Sequence, residues 1–298
     1  MTGDRTPDLD HDDIVAANDA TMVSATTGAQ ERSVADVGRV ALWIALAPTL
    51  WILFGSRLAS FGMDSAHAYW NVWRVGPYTL PPGSPDAFNY TPAFAQAIYP
   101  LTLLPWPVFL TVWSMLLGAA LVWLLWPLQP RWRWLLLAYV APPALLIGNI
   151  EALLAVAAVI GMRRPTAWAF PLLTKVTPGL GPVWFAVRRE WRLAAVALVS
   201  TSAIVAASCA VSPDLWLRWW DFVVESPTPP TQLGYPPLVL RLGAALVVLV
   251  WGALKGRRGT IAVAMVLAMP LWSSGVLVLL TALPRLRPDP VRGDRTNA

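Results

Sequence analysis

The sequence predicts an all-α, polytopic helical membrane protein of about nine hydrophobic segments, several of them broken or re-entrant. Three observations lead there. Only 13% of the residues are charged while 56% are hydrophobic, whereas a soluble domain carries about 25% charge. The apolar runs approach the length of about 20 residues that an α-helix needs to cross a bilayer. The basic residues gather between those runs, at Arg131 and Arg133, at Arg163 and Arg164, at Arg188, Arg189 and Arg192, at Lys255-Gly256-Arg257-Arg258, and at Arg285 and Arg287. Short cytoplasmic loops have that bias. Continuous runs argue against an outer-membrane barrel, which would alternate in segments of about ten residues. Topology also accounts for the net charge of +5, so no nucleic-acid partner is expected.

Taken in order, residues 1–37 are polar, acidic and without apolar periodicity, and read as a disordered cytoplasmic tail. They do not form a cleavable signal peptide, and the first span, near 40–54, reads as a signal anchor. A long loop follows to Thr91, carrying Asp64, His67, Arg74, Asp86 and the Pro/Gly-rich centre Leu80-Pro81-Pro82-Gly83-Ser84-Pro85. Loops of that length are often functional. Residues 92–104 read as a short apolar helix, either interfacial or re-entrant, ended by Pro105-Trp106-Pro107, and a full span continues to about Trp126. Residues 134–161 are interrupted at Pro142-Pro143 and Gly148-Asn149, and residues 166–187 at Lys175-Val176-Thr177-Pro178-Gly179. Broken backbone at membrane depth is tolerated only inside protein or beside a water-filled cavity, an arrangement shared by membrane enzymes and transporters. A span at 193–211 leads to a second external loop, 212–235, whose Trp216, Trp219 and Trp220 suit an interfacial belt. Residues 237–254 return. The last run, 260–283, breaks at Met269-Pro270-Leu271-Trp272-Ser273-Ser274-Gly275, and residues 286–298 form a second disordered cytoplasmic tail.

The few ionisable groups within this apolar frame carry the chemistry. Asp64 follows the first span closely. Its neighbours Ala66, Ala68, Tyr69 and Trp70 suggest a helix on the membrane surface, which puts the carboxylate at the lip of the bilayer. Partly withdrawn from water, it would titrate in the range useful for a general base; otherwise it is a solvated loop carboxylate. His67, one helical turn on, could orient its proton or be a surface histidine. Lys175 lies mid-stretch, where a lysine costs about 2.5–3.5 kcal/mol on insertion scales. It faces either a phosphate, helped by backbone N–H groups that Pro178 and Gly179 leave free, or Glu151 as a structural pair. Asn149 suits a helix N-cap and Glu151 the first turn; the alternative is that this tip binds a sugar hydroxyl. Tyr90, in Phe88-Asn89-Tyr90-Thr91-Pro92-Ala93, belongs to an aromatic wall suited to sugar rings. Arg218 and Arg241 are further candidates for phosphate. Two histidines and one cysteine, Cys209, inside an apolar run, provide neither a disulfide framework nor a transition-metal centre. No metal and no cofactor are expected, and no soluble catalytic signature appears.

The order of short motifs is informative. Asp64 and Tyr69 come soon after the first span, then Tyr90-Thr91-Pro92-Ala93 leading to Pro100-Leu101-Thr102-Leu103-Leu104-Pro105. Gly148-Asn149 with Leu153, Lys175 with Pro178, and Arg188-Arg189-Glu190-Trp191 follow. Over 38–285 this resembles glycosyltransferase family 87, integral-membrane enzymes of the GT-C class. The resemblance implies a GT-C-like transmembrane domain that moves mannose from a polyprenyl-phosphate donor to an extracytoplasmic glycolipid or glycan acceptor, with inversion. It implies Asp64 as the base, Lys175 near the lipid phosphate, and Tyr69, Tyr90, Asn149, Glu151 and Trp272 toward sugar and acceptor. The chain would sit in the cell membrane among its lipids, with the site facing outward. A lipid or small-solute transporter or flippase, with Lys175 and Glu151 lining its path, is the competing reading; a non-catalytic scaffold is a third.

Overall fold

A computed structural model describes residues 61–225, 236–272 and 274–287. The expected N-terminal tail, the first span at 40–54 and the C-terminal tail from 288 onward lie outside the described residues.

Every regular element described is helical. Helix α1 (Ser65–Val75) is followed by a loop and α2 (Pro92–Thr102), then α3 (Trp106–Leu125), α4 (Pro130–Ile147) and α5 (Glu151–Gly161). A 3-10 turn (Pro165–Trp168) leads into α6 (Ala169–Thr174), and after a break come α7 (Gly181–Val187), α8 (Trp191–Val211) and α9 (Pro213–Glu225). Helices α10 (Leu238–Leu254) and α11 (Thr260–Ala268), a 3-10 segment (Ser274–Ala282) and α12 (Leu283–Leu286) complete the chain. Proline opens α2, α3, α4 and α7 within their first two positions, where its missing N–H costs nothing.

The expected count of about nine hydrophobic segments is not what the described residues contain as crossings. Two helices, α3 and α8, are long and apolar enough to span a bilayer, and a third crossing results if α4 and α5, bent by 115°, count as one. The reason is the density of breaks: α10, with 17 residues, covers about 26 Å at 1.5 Å per residue, short of a core of about 30 Å. Pro142 and Pro143 do not interrupt α4, which runs through both; that segment breaks only at Gly148. The second external loop also differs from expectation, because 13 of its residues form α9. Helix α1 does form, but its buried face (Ala66, Ala68, Tyr69, Val72) packs into protein and is not turned to lipid.

The core is built around α3, α5 and the 3-10 segment Ser274–Ala282, with α10 and α11 paired beside them. Trp113, Leu117, Leu121 and Leu124 of α3 are buried at helical spacing. Trp168 and Trp184 are fully enclosed, and Gly161 and Gly181 lie so close to Trp168 that neither has room for a side chain. Helix α1 packs on α2 and α3, and α6 on α5 and α8. The break after α4 and the break after α6 are thereby brought to one place.

Candidate active site

The site begins with a turn that only glycine fits. Gly148 ends α4 with φ 68°, a left-handed conformation costly for residues with a Cβ. A Cβ there would stand 2.5 Å from the Cβ of Ala66, so α1 can approach this turn only because position 148 has no side chain. Three segments hold the turn. Gly62 donates its N–H to Leu146 O (2.7 Å), and Trp113 Nε1 donates to Gly148 O (2.7 Å). Asn149 Oδ1 accepts the N–H of Ile150 (2.8 Å).

That same oxygen is the centre of an aromatic hub. Tyr69 Oη lies 2.8 Å and Tyr90 Oη 3.1 Å from Asn149 Oδ1, and the two phenols are 2.8 Å apart. Two phenolic protons serve three contacts, so two of the three are hydrogen bonds at a time. With Oδ1 turned inward, the Asn149 amide nitrogen is directed away from the hub. Tyr69 is fully buried, its ring edge-on to Phe88, Tyr90, Phe94 and Trp113.

One residue further, Glu151 opens α5 and is only 5% exposed. Lys175 Nζ donates to Glu151 Oε1 at 2.8 Å, from the break that follows α6. Thr91 fixes that break: its Oγ1 donates to Leu173 O (2.5 Å) from the N-terminus of α2. Asp64, at the N-terminus of α1, is exposed and makes no capping hydrogen bond. Its carboxyl is held above the usual carboxylate range, first by surrounding protein that withdraws it from water, then by Glu151, against the opposing pull of Lys175. Tyr90 is coupled to the charges of Lys175, Glu151 and Asp64. The structure therefore brings Asp64, Tyr69, Tyr90, Asn149, Glu151 and Lys175 into one cluster, with two carboxylates against one ammonium.

The model of glycosyltransferase family 87 matches residues 88–293. The chain belongs to glycosyltransferase family 87. The match covers Tyr90, Asn149, Glu151, Lys175, Arg218, Arg241 and Trp272, and begins after Asp64, His67 and Tyr69. No curated protein and no solved structure gives a significant match. This family 87 chain is thus a glycosyltransferase of the membrane, with a sugar donor and an acceptor to bring together.

The remaining candidates of this glycosyltransferase lie apart from the cluster. His67 Nδ1 stands 2.5 Å from Asp86 Oδ1, with its ring between Trp70 and Trp106; Asn71 also donates to Asp86 (3.2 Å). The imidazole therefore joins α1 to the loop before α2 and is not hydrogen-bonded to Asp64. Arg241 is buried, and its guanidinium donates to the carbonyls of Pro236 (3.0 Å), Met269 (2.5 Å) and Pro270 (3.0 Å), 5.3 Å from the Trp272 ring. It ties α10 to the break after α11, and Trp272 Nε1 donates to Val266 O (3.0 Å). Arg218 is exposed on α9. Arg74 donates to Trp70 O and Thr102 O and lies 3.8 Å from the Trp70 ring centroid.

Sequence reasoning did not single out Thr91, Trp113 or Gly148 as the residues that hold the site. Gly148 carried a signal as a glycine before an N-cap asparagine, and Thr91 one as part of the Tyr90-Thr91-Pro92-Ala93 motif; Trp113 carried none.

Proposed function

We propose that this glycosyltransferase moves a mannosyl group from a polyprenyl-phosphate donor to an extracytoplasmic glycolipid or glycan acceptor, with inversion and with Asp64 as the general base. One observation supports this reading most: Asp64 is a carboxylate that makes no capping hydrogen bond, at a helix N-terminus, within electrostatic reach of a buried Lys175–Glu151 pair. A carboxylate held above its usual range is a better proton acceptor for a hydroxyl than an ordinary one. The acceptor hydroxyl would lose its proton to Asp64 as its oxygen attacks the anomeric carbon from the face opposite the phosphate. The C–O bond to phosphate breaks, and the leaving lipid phosphate takes the electron pair. Lys175 is the cation placed to stabilise that charge, and Asn149 and Glu151 supply donor and acceptor atoms for sugar hydroxyls.

Asp64→Asn keeps the shape and removes the base. Transfer from a polyprenyl-phosphate sugar in proteoliposomes should fall by about 10²–10⁴-fold with fold and expression unchanged. Wild-type turnover in that variant would remove Asp64 from the mechanism. Movement of labelled donor across the bilayer without transfer to an acceptor would instead favour the flippase reading, in which Lys175 and Glu151 line a path.

A further inference from the structure

Helix α9 carries three separate stripes, and one of them is uncovered. Leu215, Trp216, Trp219 and Phe222 are buried or half-buried and face protein. Trp216 packs on Ala93, Ala169 and Leu173, and its Nε1 donates to Ser208 Oγ (3.0 Å). Phe222 meets the ring of Tyr78 at 5.5 Å. Asp214, Arg218, Asp221 and Glu225 recur at i, i+4, i+7 and i+11 and form an exposed polar stripe. Between these lies an apolar stripe at i, i+3 and i+7: Leu217, Trp220 and Val224, 64%, 61% and 63% exposed.

What covers that stripe follows from continuity with α8. Helix α8 has 21 residues, about 31 Å of rise, and matches the hydrocarbon thickness of about 30 Å. Only Ser212 separates its end from α9, so α9 starts at the bilayer surface. With 13 residues, or about 20 Å, and a polar stripe along its whole length, α9 is too short and too polar to cross the bilayer it starts from.

We infer that α9 is an interfacial helix whose Leu217–Trp220–Val224 stripe is embedded at the headgroup–acyl boundary of the bilayer. The polar stripe carries three carboxylates against Arg218, so apolar burial and not attraction to anionic lipid drives the contact. The consequence reaches the cluster. Tyr78, held against Phe222, donates its hydroxyl to Tyr90 O (2.7 Å), which suspends the Tyr90 hub from a helix anchored at the lipid surface.

The test uses the full chain with Cys209→Ser, which removes its one cysteine, reconstituted in phosphatidylcholine nanodiscs. Single nitroxide labels are placed at 217, 220 and 224, and at 218, 221 and 225; all six side chains are exposed, so labelling leaves the packed face intact. Collision with oxygen relative to a water-soluble nickel chelate should be several-fold higher at the first three positions. Equal access of the chelate to all six would overturn the inference. So would shielding of 217, 220 and 224 from both reagents, which would mean that residues 226–235 or a second copy of the chain cover the stripe.

Discussion

A carboxylate at a helix N-terminus ordinarily accepts a backbone N–H, a bond worth about 1 kcal/mol; Asp64 makes none, and its proton affinity is left to its neighbours. Because burial and Glu151 raise its pKa while Lys175 lowers it, the acid limb of the pH–rate profile should lie above the usual carboxylate value of about 4. Glu151→Gln removes a raising influence and leaves Lys175 less neutralised. Both changes act in the same direction, so the acid limb of that variant should move to lower pH. An unmoved limb would mean that Glu151 does not tune the base. The sign for stability is the reverse of the usual acidic case. A raised carboxyl binds its proton more tightly when folded, so its contribution to stability declines as pH rises from the ordinary value through the folded one.

The Lys175–Glu151 pair sets a second expectation at this scale. Lys175→Met would leave Glu151 enclosed without a counter-ion, at a cost of about 3–5 kcal/mol. The melting temperature in detergent should fall clearly for that variant and recover in Lys175→Met with Glu151→Gln. A double variant no more stable than the single one would show that the two groups are not coupled. Asp64, Tyr90, Asn149, Glu151 and Lys175 were legible in the sequence because polar groups in an apolar frame are costly and stand out. His67 was misleading for the same reason. Its partner, Asp86, lies across a Pro/Gly-rich loop whose course no local pattern dictates, and three residues of helical spacing to Asp64 proved less decisive than that long-range pair.

At the scale of elements, periodicity located most helices within a few residues. The span ending near Trp126, the start of the short helix at Pro92, and the break at Lys175 all appear. Two features were not legible. Proline at 142 and 143 was read as a breaker, yet α4 continues through both; freed carbonyls in such helices can be satisfied by neighbours. Helix α9 was read as loop because its tryptophans dominate the stretch, whereas its three stripes are separated only once the protein-facing side is known. The break at Gly148 has a sharp energetic signature. Gly148→Ala faces a left-handed cost of about 1–2 kcal/mol and an overlap with Ala66. It should lower the melting temperature and depress transfer together, since it forces α1, and Asp64 with it, away from Glu151. A variant with full activity and unchanged melting temperature would show that α1 does not depend on this contact.

For the molecule as a whole, composition pointed to an all-helical membrane protein, and the enzyme class came from the order of short motifs, with which family membership agrees. The number of crossings was not accessible in the same way. Hydropathy counts apolar segments and does not register where a break turns the chain back, and α4 and α5 bend by 115° where a simple reading draws lines through the bilayer. That bend has a consequence for how the enzyme comes into being. Its backbone groups are satisfied by Gly62, before α1, by Trp113, in α3, and by the Asn149 side chain that Tyr69 and Tyr90 engage. All of these partners precede the bend in the chain, at positions 62, 69, 90 and 113, so a chain emerging segment by segment from the translocation machinery already holds them when the bend itself emerges. The one late arrival is Lys175, from the break after α6, so a nascent chain halted after α5 should carry the bend complete and Glu151 still without its counter-ion.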